Sequence, residues 1–262
     1  MTEPTIDGVG YDVAAGVATI TLDSPAKRNA LSLALMAQMS RRLQAALADD
    51  AVRVIVLTHT GPVFCSGMDL GEAKDPESSR SAMQAFPKIL QAVWDSPKPV
   101  VARVAGPARA GGVGLIAACD IAVCVRSATF AFTEVRLGII PAVISVTVLP
   151  RMNPRPASEL FLTGATFDGV RAAEIGLVNA AVNADDLDAA TAGYVADLRK
   201  GGPLALAATK MLLRRTRSPS MAEDLAALSE ISAAFFSSEE GQEGIRALGQ
   251  RRPPRWLSDA TL

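Results

Sequence analysis

Residues 98–141, KPVVARVAGPARAGGVGLIAACDIAVCVRSATFAFTEVRLGIIP, constrain the fold more than any other stretch of the chain. They open on an apolar, β-branched run (Val100, Val101, Val104), the pattern of a buried strand. A small-residue elbow follows at 105–114, then a short helix ending near Cys119. A second buried strand fits 121–125, and a third extended piece, 128–133, delivers a single carboxylate, Glu134. Gly111 and Gly112 carry no Cβ, so a ligand can approach their N–H groups closely. Those N–H groups open a helix, where donors are unpaired and the dipole favours negative charge. The elbow suits an oxyanion hole or a phosphate cradle. Tight strand–helix packing is the plainer use of a Gly-Gly pair.

The rest of the chain alternates in the same manner. Residues 11–22 read as a hairpin turning at Ala15-Gly16, and 23–29 as a turn with Pro25, Lys27 and Arg28. Ser32 caps a predicted helix over 33–48, whose apolar stripe is Leu35, Met36, Met39, Leu43 and Leu47. A buried strand is predicted at 52–58 and a glycine-containing loop at 59–70. The polar residues 71–82 read as the most mobile segment, followed by a helix over 83–94 disturbed by Pro87. Beyond Pro141 the pattern turns helical: 157–162, then 169–175 after Phe167-Asp168, a return to strand at 177–178, and a helix from 183 to Lys200. Gly201-Gly202-Pro203 is the sharpest boundary signal. Three helical segments follow, near 204–216, 221–236 and 239–249. The expectation is an α/β core of repeated ββα units over 1–200, with a helical extension over 201–262.

The bulk numbers narrow the function classes. With 26 basic and 27 acidic residues among 262, nothing points to a nucleic-acid partner. Apolar runs are cut by Asp120 and Pro141 before they reach a membrane-spanning length, and residues 1–8 lack the order of a signal peptide. Cys65, Cys119 and Cys124 are odd in number and sit in apolar segments, which fits free thiols and a cytoplasmic setting. One histidine and scattered cysteines give no metal-ligand spacing. His59 and Ser66 invite a hydrolase reading, but no G-x-S-x-G elbow or orienting acid accompanies them. They read better as a strand-end histidine and a small residue lining a pocket.

The segments AGGVGLIAACDIAV (110–123) and FAFTEVRLGIIP (130–141) resemble the crotonase (enoyl-CoA hydratase/isomerase) family. So do SPAKRNALS (24–32), GPVFCSGMDL (61–70) and FLTGATFDGVRAAEIGLVN (161–179). The motifs run in the family's order over nearly the whole chain. The resemblance implies the ββα spiral fold and an acyl-CoA thioester substrate, coenzyme A being part of the substrate and no cofactor being needed. It also implies a helical extension that builds a homotrimer, or a dimer of trimers. By motif match, the N–H groups of Met68 and Gly111 form the oxyanion hole and Glu134 is the catalytic acid. Lys27, Arg28, Ala30 and Leu31 match contacts to the nucleotide end of coenzyme A. Ser66, Asp69, Leu70, Gly112 and Ala142 complete the expected substrate contacts.

Two departures bear on the reaction. Gly114 stands where typical hydratases carry a second glutamate, and AVISVTVL replaces the glycine-rich turn after Pro141. One carboxylate can still take a proton from water and deliver it to carbon, so hydration of a 2,3-double bond is the expected activity. Δ3,Δ2-isomerisation by a lone base is the alternative, and a non-catalytic acyl-CoA binder is a third reading. Asp69 or Glu72 is a candidate second acid. Arg109 and Arg136 flank the site and are candidate readers of a polar acyl tail, against the plainer use of arginine as a surface or paired cation. Arg251, Arg252 and Arg255 are candidate contacts to a neighbouring subunit's phosphate, or a basic tail.

Overall fold

Each turn of chain in the computed structural model, which describes residues 8–258, places one long strand in a large sheet and one short extended piece in a smaller sheet. The expectations for residues 1–7 and 259–262 lie outside the described residues. Strands β1 (Gly8–Ala14) and β2 (Val17–Asp23) pair as an antiparallel hairpin. Ala15 and Gly16 both take positive φ (48° and 74°), the type I′ turn whose twist matches the flanking strands. Helix α1 (Leu33–Ala48) starts at Ser32, whose side chain accepts from the Leu35 N–H. Strand β3 (Val54–His59) then joins the sheet parallel to β2.

Helix α2 (Pro76–Trp94) begins seven residues before the start predicted from sequence. Asp75 caps it, accepting from the Ser78 N–H at 2.8 Å, and Pro76 occupies the first turn, where a missing N–H costs nothing. The polar stretch 71–82 is therefore a short 3-10 turn and a capped helix start. Strand β4 (Val100–Val104), the short β5 (Ala108–Arg109) and helix α3 (Gly111–Ala118) follow the predicted order. Strands β6 (Ile121–Val125) and β7 (Thr129–Ala131) lead into a 3-10 turn, Thr133–Leu137, which contains Glu134. Helices α4 (Ala142–Val148) and α5 (Pro154–Thr163), strand β8 (Phe167–Asp168), helix α6 (Gly169–Glu174), strand β9 (Ala180–Val182) and helix α7 (Leu187–Lys200) complete the core. The strand predicted at 177–178 thus forms three residues later.

The large sheet has the order β1-β2-β3-β4-β6-β9, parallel beyond the first hairpin. One face packs into a continuous apolar core with α1, α2 and α3, while α7 covers Val54, Val56 and Val101 on the other. The smaller sheet, β5-β7-β8, is extended by two single bridges, Cys65 to Ala108 and Leu31 to Met68. The successive rungs of this small sheet are the frame of the site.

Past Gly201-Gly202 the described chain is helical: α8 (Pro203–Arg214), α9 (Met221–Ser237), α10 (Glu239–Gly249) and α11 (Arg255–Ser258). Asp120 fixes α8 to the core through Lys210 and Arg214, and Arg214 and Arg151 both lie over the Trp94 ring. Helix α9 buries no residue in its own chain.

Candidate active site

The bridge from Leu31 to Met68, the bridge from Cys65 to Ala108 and the pairing of Arg109 with Ala131 set three chain segments side by side. Each then leaves the small sheet in the same region, at Met68, at Gly111 and at Glu134. The approach is close because the segments lack bulk there. A Cβ on Gly67, whose φ is 92°, would lie 3.2 Å from the Ala110 Cβ and 3.8 Å from the Gly111 nitrogen. One on Gly111 would meet Leu31 Cδ1 at 2.8 Å, and one on Gly112 would strike Cys65 Cβ at 2.7 Å. Ala110 itself adopts φ 48° and ψ −118°, a strained conformation for an alanine that turns the chain into α3. The N–H groups of Met68 and Gly111 donate to no backbone or side-chain acceptor among the described residues.

Both residues line a cavity of about 520 Å³, together with Ser66, Leu70, Ala142 and Glu134. Glu134 is only 9% exposed, and its Oε2 has no hydrogen-bond partner. Burial pushes its carboxyl above the ordinary glutamate range. The side chain is held in place by its flanks: Phe132 is fully buried against Phe161 and Phe167, and Gly138, at φ 73°, closes the turn onto the Glu134 carbonyl. An acid whose Oε2 is unpaired and which lines a largely apolar cavity is chemically suited to proton transfer.

The packing at Gly114 accounts for the absence of a side chain there. A Cβ on Gly114 would come within 2.8 Å of Ile144 Cβ and closer still to its Cγ2, so α4 packs directly on the bare backbone of α3. Thr147 seals this contact by donating to the Gly114 carbonyl at 2.9 Å. The segment AVISVTV thus fills, with an isoleucine, the volume that a side chain at 114 would need. Asp69 and Glu72 do not substitute. Asp69 Oδ1 accepts from the N–H groups of Gly71 and Glu72, and Glu72 Oε2 accepts from the Leu33 N–H at 2.8 Å. Asp69 and Gly112, both expected substrate contacts, stand outside the cavity lining: Asp69 shapes the loop and Gly112 packs on Cys65.

Lys27 and Arg28 occupy an exposed turn and enter no ion pair among the described residues. Sequence reasoning missed the residue that holds this turn. Asn29, fully buried at φ 51°, accepts from the Ser24 N–H and donates to the carbonyls of Thr60 and Val63. Ser66 N–H donates to the Arg28 carbonyl and Leu31 N–H to the Gly67 carbonyl, which ties the cationic turn to the Met68 loop. Met83, Phe86 and Pro87 of α2 also line the cavity, and an i, i+3, i+4 stripe through Ala82, Phe86, Ile89, Leu90 and Val93 could have shown which face α2 buries.

Several other candidates have partners within the chain. Arg109 donates to the carbonyls of Ala108 and Thr129 and to Thr129 Oγ1, and Arg136 Nε donates to the Thr163 carbonyl, so neither side chain enters the lining. His59 Nε2 accepts from the Ala105 N–H at 3.1 Å, and burial holds its pKa below the usual imidazole value. Arg252 is bound to Glu243 at 2.6 Å. The three cysteines are buried and unpaired, with Cys65 and Cys124 pushed up to about 12 by desolvation. Among the described residues there is no cluster of metal-ligating side chains and no helix long and apolar enough to cross a membrane.

The sequence model of the enoyl-CoA hydratase/isomerase family matches residues 12–259. The chain belongs to that family. Among enoyl-CoA hydratase/isomerase relatives, an Alternaria alternata protein named enoyl-CoA hydratase ACTT6 is 35% identical over 91% of this chain and 80% of its own. The 2,3-dehydroadipyl-CoA hydratase of Escherichia coli K12 is 30% identical over 91% of this chain and 94% of its own. The fold is shared with a crystal structure of a Legionella pneumophila protein described as an enoyl-CoA hydratase/isomerase (crotonase). It has a TM-score of 0.89 at 34% identity, over 96% of this chain and all of that one.

Proposed function

We propose that this crotonase-family chain is an enoyl-CoA hydratase that uses a single acid. The observation that carries the reading is the Glu134 carboxyl, whose Oε2 has no hydrogen-bond partner among the described residues, in the same cavity as two amide groups, Met68 and Gly111, that have no acceptor among the described residues. The thioester oxygen of a 2-enoyl-CoA sits between the two amides. Glu134, as carboxylate, takes a proton from water while the water oxygen bonds to Cβ. The electron pair of the double bond moves to Cα, and negative charge gathers on the thioester oxygen. Each well-aimed amide stabilises that charge by roughly 3–4 kcal/mol. Protonated Glu134 then delivers the proton to Cα, and the carbonyl reforms. Its raised pKa suits an acid that must both accept and release a proton near neutrality. Lys27 and Arg28, with the backbone at Ala30 and Leu31, receive the phosphates of coenzyme A. Ser66, Leu70 and Ala142 touch the pantetheine and acyl portions.

A second reading has a specific observation in its favour. Ile144 occupies the flank where a water-holding side chain at 114 would reach, and a lone base in a dry wall suits moving a proton between C4 and C2 of a 3-enoyl-CoA. The experiment incubates the protein with 2-enoyl-CoA and 3-enoyl-CoA and follows the absorbance of the conjugated thioester. Loss of the 2-enoyl signal supports hydration, and its appearance from the 3-enoyl substrate supports isomerisation. Silence with both, alongside tight acyl-CoA binding, would contradict an enzymatic role.

A further inference from the structure

Resting on the acyl-CoA reading of the cavity, we infer that Glu72 is a positioning residue that aims the Met68 amide at the thioester oxygen. The direction of that amide is set by the bridge to Leu31. Leu31 N–H donates to the Gly67 carbonyl at 2.8 Å, and Asp69 N–H donates to the Leu31 carbonyl at 3.4 Å. In a parallel bridge the residue between two such bonds takes no part in them. Met68 therefore turns its own N–H away from Leu31. On that side the neighbouring segment is 107–111, joined through Cys65, which brings Gly111 to the same place. The bond before Met68 is short and the one after it exceeds the usual range. The backbone thus holds Met68 firmly on one side and weakly on the other.

Glu72 supplies the second hold. Its Oε2 accepts from the Leu33 N–H at 2.8 Å, a first-turn donor of α1 that the helix itself cannot satisfy. The helix dipole favours a carboxylate at that end. Between Met68 and Glu72 the chain is braced: Asp69 Oδ1 accepts from the N–H groups of Gly71 and Glu72, and Ala73 N–H donates to the Asp69 carbonyl. Residues 69–72 form one short arm, fixed to 31–33 at Glu72 as well as at Leu31. Without the Glu72 bond the arm has room to move. Leu70 and Gly71 are exposed, and a void of about 20 Å³, lined by Met68, Glu72, Ser78 and Ala82 among others, lies between the arm and α2. Glu72 stands outside the lining of the acyl cavity, so it acts on the reaction through Met68.

The test reads the thioester carbonyl itself. Hexanoyl-CoA labelled with carbon-13 at the carbonyl is bound to the protein, and infrared difference spectra record how far its stretch falls below the value in water. Two amides on the oxygen polarise the carbonyl and lower that frequency. In Glu72→Ala the expected result is loss of about half of this shift, with kcat for hex-2-enoyl-CoA lowered by about 10–100-fold and hexanoyl-CoA binding within about threefold of the parent. Glu72→Gln keeps an oxygen acceptor and should retain the shift and most of the turnover. Leu33→Pro removes the same bond from the other end, at a first-turn position that suits proline after the extended Ser32. Combined with Glu72→Ala it should cause little further loss of shift. A full shift in Glu72→Ala, a Glu72→Gln as impaired as the alanine variant, or additive losses in the double variant would overturn the inference. No shift in the parent would remove the oxyanion hole, and the role of Glu72 with it. A parent that shifts the carbonyl yet turns over no enoyl-CoA would instead count against the hydratase reading and leave the positioning role standing.

Discussion

At the scale of single residues, Glu134 is an acid kept where stability would rather not have it. Burial raises its pKa in the folded chain, so between the unfolded and folded values the native state binds more protons than the unfolded state. Stability contributed by the protonated form is therefore present at acid pH and is lost as pH rises through the folded value. Glu134→Gln should unfold at a higher temperature than the parent at pH 7–8, and calorimetric scans at acid pH should show that advantage shrinking. Turnover of the same variant should fall by about 10²–10⁴-fold, the usual weight of a general acid–base group. Equal melting temperatures at neutral pH would mean that the carboxyl is solvated. Undiminished turnover would mean that it is not the proton carrier.

At the scale of elements, the contact of α3 with α4 sets what the site can contain. Gly114→Ala places a methyl within 2.8 Å of Ile144 Cβ, which is not a flexible chain end, so α4 must shift. Overpacking of this kind costs about 1–3 kcal/mol, and Ile144→Ala in the same chain should return most of it in denaturant melts. A neutral Gly114→Ala would contradict the packing. Helix α2 offers a second check: Asp75→Ala should loosen its first turn, seen as faster amide exchange at 77–79 with the helix end unchanged. That helix also shows where sequence reading failed. Asp75-Pro76-Glu77-Ser78 is a capped helix start, but its polar composition resembled a loop; local capping outweighed composition. The ββα order, the Ser32 cap and the Ala15-Gly16 turn were legible because each rests on neighbours in sequence. The small sheet was not. Two of its rungs, Leu31 to Met68 and Cys65 to Ala108, are single-residue bridges without periodicity. Glu134 was legible as the lone acid after an apolar strand, whereas Asn29 and Ile144 act through contacts 31–34 and 30 residues away.

At the scale of the whole molecule, the core brings the site together and the C-terminal helices face outward. Helix α9 buries nothing of its own and exposes Leu225, Ile231 and Phe236. The family resemblance implies that such surface is covered by further copies of the chain. Sedimentation velocity should find a trimer or a dimer of trimers, and Leu225→Glu with Phe236→Glu should lower the mass; a monomeric parent would contradict the assignment. The large sheet, the anchored α8 and the pinned turn at Asn29 all leave one cavity in which two amides and one acid meet. A crystal structure with a saturated acyl-CoA tests that convergence most directly. The expected result is the thioester oxygen about 2.7–3.1 Å from both the Met68 and Gly111 nitrogens, with the Glu134 carboxyl facing Cα and Cβ. A thioester oxygen bound elsewhere, or a Glu134 side chain turned away from the acyl chain, would contradict the account.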